Sequence, residues 1–272
     1  MAVEDDDEAR SVDKASTLPS RLVYEVIRRD GEEELARPVP SLIWSGIAAG
    51  LMISFSVLGE AIFRTYLPDA PWRYLIENLG YSFGFLIVIL GRMQLFTENT
   101  ITTVLPFLAR PCVEILLGVL RLWAIVLAAN IVGAFGAAAL FAYTAAIPAE
   151  LLPAIGDLSR HATGMGASES FVRGIPAGIL VASIVWTMPQ AREASVVIIL
   201  LFTWLIAAGD FTHVIAGSVE MAYLLLIGEL GGIDAIAGFF LPVLAGNVVG
   251  GTAIFAFMAW GQVRAEVENG EG

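Results

Sequence analysis

The sequence predicts an all-α membrane protein: six transmembrane helices in two inverted three-helix repeats, with the second and fifth helices broken. Three observations lead there. The chain is 57% hydrophobic and only 15% charged, with a mean hydropathy of +0.76, whereas a soluble domain is about 45–50% apolar and about 25% charged. Several apolar runs are long enough to cross a bilayer. Three short motifs recur in the same order in both halves.

The N-terminal region stands apart from the rest. Residues 1–34 hold 11 acidic and 5 basic side chains, a net of −6, which is half of the −12 carried by the whole chain. The acidity therefore belongs mainly to a tail. Its start, Glu4-Asp5-Asp6-Asp7-Glu8, is the opposite of the basic and then apolar opening of a secretory signal and reads as disordered. Leu22, Val23, Val26 and Ile27 share one helical face, with Arg21, Glu25, Arg28 and Arg29 around them. That pattern predicts a short amphipathic surface helix packed under the membrane part. Residues 1–40 form this tail, 41–262 the transmembrane body and 263–272 a C-terminal tail.

A helix needs about 20 apolar residues to cross a hydrocarbon core of about 30 Å. Residues 42–63, 113–143, 171–187 and 235–260 meet or approach that length. Residues 79–109 and 194–230 qualify only around polar interruptions, Gln94-Leu95-Phe96-Thr97-Glu98-Asn99 in one and Gly209-Asp210-Phe211-Thr212-His213 in the other. The connections carry prolines: Pro68 and Pro71, then Pro148 and Pro153 with a Gly/Ser-rich run across 147–170, then Pro189. This reading leaves His161 in a loop without partners. Arg21, Arg28, Arg29 and Arg37 precede the first span and place the N-terminus in the cytoplasm by the positive-inside rule. An even number of spans returns the C-terminus there, and the expected location is the inner (plasma) membrane.

The halves resemble each other. Gly46-Ile47-Ala48-Ala49-Gly50 matches Gly174-Ile175-Pro176-Ala177-Gly178, Phe96-Thr97-Glu98 matches Phe211-Thr212-His213, and Asn130-Ile131-Val132-Gly133 matches Asn247-Val248-Val249-Gly250. Three spans per repeat force the second copy to start from the opposite side, a design in which broken helices meet at a midplane solute site. Polar backbone at that depth is tolerated only where it is buried in protein or lines a cavity, so both breaks should face one path. Phe96 and Phe211 would narrow it, and Thr97 and Thr212 would offer hydroxyls. The half-helix N-termini would present N–H groups to an anion. Ionisable groups inside spans are rare and mark paths or relays. This points to His213 as a pore residue whose unperturbed pKa of about 6.5 suits switching near neutral pH.

Glu98 has two readings: an ion pair with Arg92 that holds the loop, or a carboxylate facing the path. Asp210 reads as the cap of a half-helix starting near residue 212. Glu60, Glu77, Glu114, Glu220, Glu229 and Asp234 count as lying near span ends or turns, where solvent or headgroups take them. Asn130 and Asn247, inside apolar helices, should bond to the broken backbone of spans two and five. Gly133, Gly136, Gly250 and Gly251 allow close helix approach or a kink. Trp44, Trp72, Trp123, Trp186 and Trp260 suit an aromatic belt. The single cysteine, Cys112, excludes an internal disulfide.

Leu95-Phe96-Thr97 in the second span, Phe211-x-His213 in the fifth and Leu241-Pro242-x-x-x-Gly246-Asn247-x-x-Gly250-Gly251 in the last resemble the formate/nitrite transporter family over residues 40–262. The Thr97-Glu98-Asn99-Thr100 form is similar to its YfdC-like branch. The resemblance implies an aquaporin-like protomer, a homopentamer with one pore in each protomer, and a constriction of Leu95 and Phe96 beside the Thr97 hydroxyl. It further implies that His213 is the central pore histidine and that Tyr81 or Phe85 adds to hydrophobic gates. The chain departs from the family where anion carriers have a small residue after Leu-Phe-Thr, a Glu before the histidine, an Asn four residues after it and an Asn in span four. Here those places hold Glu98, Thr212, Gly217 and Gly178.

Three functions fit the sequence: a channel or transporter for a small monovalent anion, with or without a proton; the same architecture conducting cations or a small neutral solute; or a non-conducting structural membrane protein. The expected partners are a small ion or solute, membrane lipids and further copies of the chain. No motif calls for a cofactor, a metal or nucleic acid. Without a phosphate-binding loop or a nucleophile paired with a base, the sequence reads as neither an ATP-driven pump nor an enzyme.

Overall fold

A computed structural model describes residues 18–269; the acidic stretch at residues 4–8 and the last three residues lie outside it. Every regular element among the described residues is helical.

Helix α1 (Ser20–Ala36) buries Val23, Tyr24, Ile27 and Gly31. Leu22, placed by periodicity on the inner face, is exposed. The buried stripe is rotated because the Tyr24 ring packs on Trp260 at 5.3 Å and Gly31 touches the backbone of Thr102, where a Cβ would collide. On the outer face Arg28 bonds Glu25 at 2.8 Å and Glu32 at 2.6 Å. The Arg28 hydrogen bond is the main reason the Glu25 carboxyl is held down at about 2, with Arg29 adding to it.

The first membrane helix comprises α2 (Val39–Met52) and α3 (Ser54–Tyr66), joined by a bend at Ile53 that stays in the helical region. The second begins with α4 (Arg73–Glu77) and a 3₁₀ turn, Asn78–Tyr81, and continues as α5 (Ser82–Leu90). It resumes after the break as α6 (Phe96–Thr102) and α7 (Val104–Ala109). Helix α8 (Val113–Tyr143) has 31 residues, about 46 Å at 1.5 Å per residue. The connection predicted across 147–170 instead contains helix α9 (Leu152–Thr163). Pro153 sits in its first turn, where the missing N–H costs nothing, and Ala154, Ile155 and Leu158 form a buried stripe. His161 is therefore on a helix, not in a loop.

Helix α10 (Ala167–Thr187) precedes α11 (Ser195–Ala208) and α12 (Val214–Leu226). The chain ends with a continuous helical rod: a π-helical stretch at Asp234–Phe240, α13 (Leu241–Val248), a second π stretch at Val249–Ala256, and α14 (Phe257–Asn269). Among the described residues, five helices are long and apolar enough to cross a membrane: Val39–Tyr66, Arg73–Leu90, Val113–Tyr143, Ala167–Thr187 and Asp234–Val267. Helices α11 and α12, of 14 and 13 residues, each reach only about 20 Å at 1.5 Å per residue. Neither spans a bilayer alone.

The helix crossings repeat. Gly50 lies on the Asn130 backbone and Gly178 on the Asn247 backbone; Gly133 meets the Ile47 carbonyl and Gly250 the Ile175 carbonyl. A Cβ at any of the four would overlap backbone, so α2 with α8, and α10 with α13 and the π stretch that follows it, pack at the close approach that small residues allow. Gly178 is thus a packing contact with no room for the asparagine that the family pattern put there. Trp123 also departs from the belt reading, since its Nε1–H donates to Asn99 O at 3.2 Å and Thr103 Oγ1 at 3.1 Å.

Candidate transport path

Both breaks are the same turn. Gly91 caps the end of α5 and Gly209 the end of α11, and the next residues, Arg92 and Asp210, have positive φ of 51° and 54°. Met93 N–H then reaches back to Val88 O at 3.0 Å, and Phe211 N–H to Ile206 O at 2.9 Å. This is the helix-ending motif in which a left-handed residue lets the chain bond carbonyls that the helix leaves orphaned. Glycine normally takes that position, and a side chain there costs roughly 1–2 kcal/mol.

Two asparagines seal the polar backbone. Asn130 Oδ1 accepts from Phe96 N–H at 2.9 Å, while its Nδ2 donates to Gly46 O and Gln94 O, each at 2.8 Å. Asn247 Oδ1 accepts from Val214 N–H at 2.8 Å, and its Nδ2 donates to Gly174 O at 2.8 Å and Thr212 O at 2.9 Å. Both are fully buried. The first N–H of each half-helix is therefore taken by an amide and not offered to a solute.

This bracing corrects the internal alignment. Phe96 corresponds to Val214, an offset of 118, and Asn130 to Asn247, an offset of 117. The match of Phe96-Thr97-Glu98 to Phe211-Thr212-His213 was three residues out of step. The counterpart of His213 is Leu95, since both are the N-caps of their half-helices, and Glu98 aligns with Ala216. Asp210 is not the cap: His213 is, with Nδ1 accepting from Ala216 N–H at 3.3 Å. The Asp210 side chain instead bonds Arg173 and, at 2.8 Å, His161 Nε2.

Two cavities approach the centre. The first, about 450 Å³, is lined by α1 at Asp30 and Glu34, by Arg92, Leu95 and Glu98, and by Arg192. Gln94 Nε2 ties α1 to the break by donating to Glu34 Oε2 at 2.7 Å. The second, about 130 Å³, lies toward the far end of the first membrane helix and is lined by Tyr81, Phe211, Thr212 and His213 together with Glu60 and Glu220. Between them Thr97 Oγ1 sits 2.8 Å from His213 Nε2, with both residues buried. Phe85 packs edge-on against the imidazole at 5.0 Å, and Tyr81 packs on Phe85 at 5.2 Å. Because Nδ1 accepts, the neutral ring carries its proton on Nε2 and donates it to Thr97, leaving the threonine O–H free to donate.

The remaining candidates fall elsewhere. Phe96 turns onto Trp123 at 5.6 Å and lines neither cavity. Thr212 spends its hydroxyl on Ser170 O at 2.8 Å. Arg92 and Glu98 make no ion pair within 4.0 Å, and Glu98 Oε1 is buried without a hydrogen-bond partner. Glu60 and Glu220, assigned from sequence to solvent or interface, are buried carboxylates on the second cavity. Their signal was available: His213, Gly217 and Glu220, spaced four and three apart, share one face of α12.

Two cavities separated by a buried hydroxyl–imidazole pair between broken helices define a membrane channel or transporter. Comparison with known proteins gives the particular family. The formate/nitrite transporter profile matches residues 21–261. The chain is 46% identical over 254 residues to "Inner membrane protein YfdC" of Escherichia coli K12, covering 93% of this chain and 82% of that one. It is 25% identical to "Formate channel FocA" of Haemophilus influenzae, over 79% and 84% of the two chains. A solved "Pentameric formate channel with formate bound" superposes with a TM-score of 0.71 at 20% identity, over 84% of this chain and 98% of that one. The chain belongs to the formate/nitrite transporter family.

Proposed function

We propose that this protein passes a small monovalent anion of the formate class through each protomer, between the two cavities and past Thr97 and His213. The observation that carries the reading is the Thr97–His213 bond at 2.8 Å in an otherwise apolar partition. An anion stripped of water there meets a hydroxyl that still has a proton to donate, and hydrogen bonds to charged acceptors are about twice as strong as neutral ones. Leu95 on one side, with Phe85, Tyr81 and Phe211 on the other, keeps loose water out. The body at 41–262 holds the path, α1 shapes one mouth, and the chain works as a homopentamer in the inner membrane with both termini in the cytoplasm. The formate channels among its relatives and the pentameric structural neighbour support this assignment.

The test is formate uptake by proteoliposomes. Thr97→Val and His213→Phe should each reduce flux by at least about tenfold, the equivalent of about 1.4 kcal/mol, with assembly unaltered by size-exclusion chromatography. Undiminished flux in both variants would remove the pair from the path. Glu98 favours a second reading, cation conduction, because its Oε1 has no partner; a reversal potential that follows the cation gradient would select it.

A further inference from the structure

The second cavity contains more negative charge than its cations can answer. Glu60, Glu77, Asp210 and Glu220 all line it. Two of these have partners. Glu77 is held by Arg64 at 3.0 Å and Arg73 at 3.4 Å. Asp210 is held by Arg173 and by His161. Glu60 and Glu220 have neither an ion pair nor a hydrogen bond, although they are only 6% and 8% exposed. Arg64, one turn on from Glu60, turns its guanidinium to Glu77 instead. The other titratable groups on this cavity, Tyr74, Tyr81 and His213, supply no fixed positive charge. Tyr81 is itself buried, with no partner for its hydroxyl.

Two ionised carboxylates buried in one small cavity without a counter-charge are strongly disfavoured, because desolvation and mutual repulsion act in the same direction. The described residues contain no group of three or more ligands that would hold a metal ion. We propose that the missing counter-charge is a proton, and that Glu60 and Glu220 form a proton-loading site for the anion on its way to His213. This inference rests on the anion reading above and adds where the accompanying proton comes from. An anion in this cavity takes the proton of one carboxyl: the carboxyl O–H bond breaks as the O–H bond of the neutral acid forms. The carboxylate left behind takes its next proton from water on that side. The neutral acid crosses the partition beside Thr97 and His213 and gives up its proton in the first cavity.

The experiment loads proteoliposomes with a pH-sensitive dye and adds a formate gradient, recording proton and formate movement together for the wild type, Glu60→Gln, Glu220→Gln and the double variant. The wild type should acidify the side that receives formate in step with formate flux. The double variant should lose the proton flux relative to whatever formate flux it retains, and each single variant should lose part of it. Coupling that persists in the double variant overturns the proton site, as does formate flux in the wild type without proton movement. Absence of wild-type formate flux overturns the anion reading itself. Should the variants fail to assemble, infrared difference spectroscopy of the wild type near neutral pH decides the matter. A formate-sensitive carbonyl band of a protonated carboxyl supports the site, and its absence refutes it.

Discussion

Replacing Asn247 by leucine keeps the branched side-chain shape and removes every polar contact that holds the break between α11 and α12. Three bonds vanish: Val214 N–H to Oδ1 at 2.8 Å, and Nδ2 to Gly174 O at 2.8 Å and to Thr212 O at 2.9 Å. Gly174 O lies within α10 and keeps a helical partner. Val214 N–H and Thr212 O are left without one, in a site that water does not reach. At about 1–3 kcal/mol for each buried group left unsatisfied, the substitution costs about 2–6 kcal/mol. That is enough to loosen the N-cap residue His213 and to separate it from Thr97. Thermal unfolding in mild detergent, followed by tryptophan fluorescence and paired with formate flux, is the assay. The expected result is a clear fall in unfolding temperature and loss of flux, with Asn130→Leu giving a similar loss because it removes the equivalent bonds. A leucine variant as stable as the wild type would refute the bracing role, and a large difference between the two variants would refute their equivalence.

Two other substitutions follow from the geometry. Gly178→Ala places a Cβ against the Asn247 backbone and should destabilise by about 1–3 kcal/mol as overpacking does, read as a lowered unfolding temperature; a neutral effect would mean that the crossing is looser than described. Glu98→Gln removes the ionisable group of a carboxyl that makes no ion pair with Arg92 and has one oxygen without a hydrogen-bond partner. A unit charge at 4 Å is worth about 4 kcal/mol at an effective dielectric of about 20, so the reversal potential under a salt gradient should move toward the anion, and an unchanged value would show that Glu98 stays uncharged or away from the path.

The fold was largely legible because each long apolar run has few alternatives. The predicted 113–143 span coincides with α8, and both breaks lie where polar residues interrupt apolar sequence. Helix α9 was obscured by Pro148, Pro153 and the nearby glycines, which read as loop until the position of Pro153 in a first turn is known. The internal alignment slipped by three residues because Phe-Thr recurs by chance. The equivalence that matters is carried by backbone N–H groups reaching Asn130 and Asn247, which no side-chain pattern displays. Glu60 and Glu220 were misplaced because counting along the sequence measures distance from a loop and not depth beside a cavity. The partners of Asp210, on α9 and α10, depend wholly on tertiary structure.

The close backbone packing at Gly50, Gly133, Gly178 and Gly250 has a consequence in time. Helices in contact backbone to backbone cannot slide without opening voids, and each half-helix is pinned at its first residue by an asparagine. Rocking of whole bundles, a motion of microseconds to milliseconds, is therefore blocked at the waist of the molecule. What remains free are partly exposed side chains at a cavity wall, such as Phe211, whose rotamer changes take picoseconds to nanoseconds. Conduction governed by such small, fast displacements responds instantly to a reversed gradient and shows no memory of which side was last open.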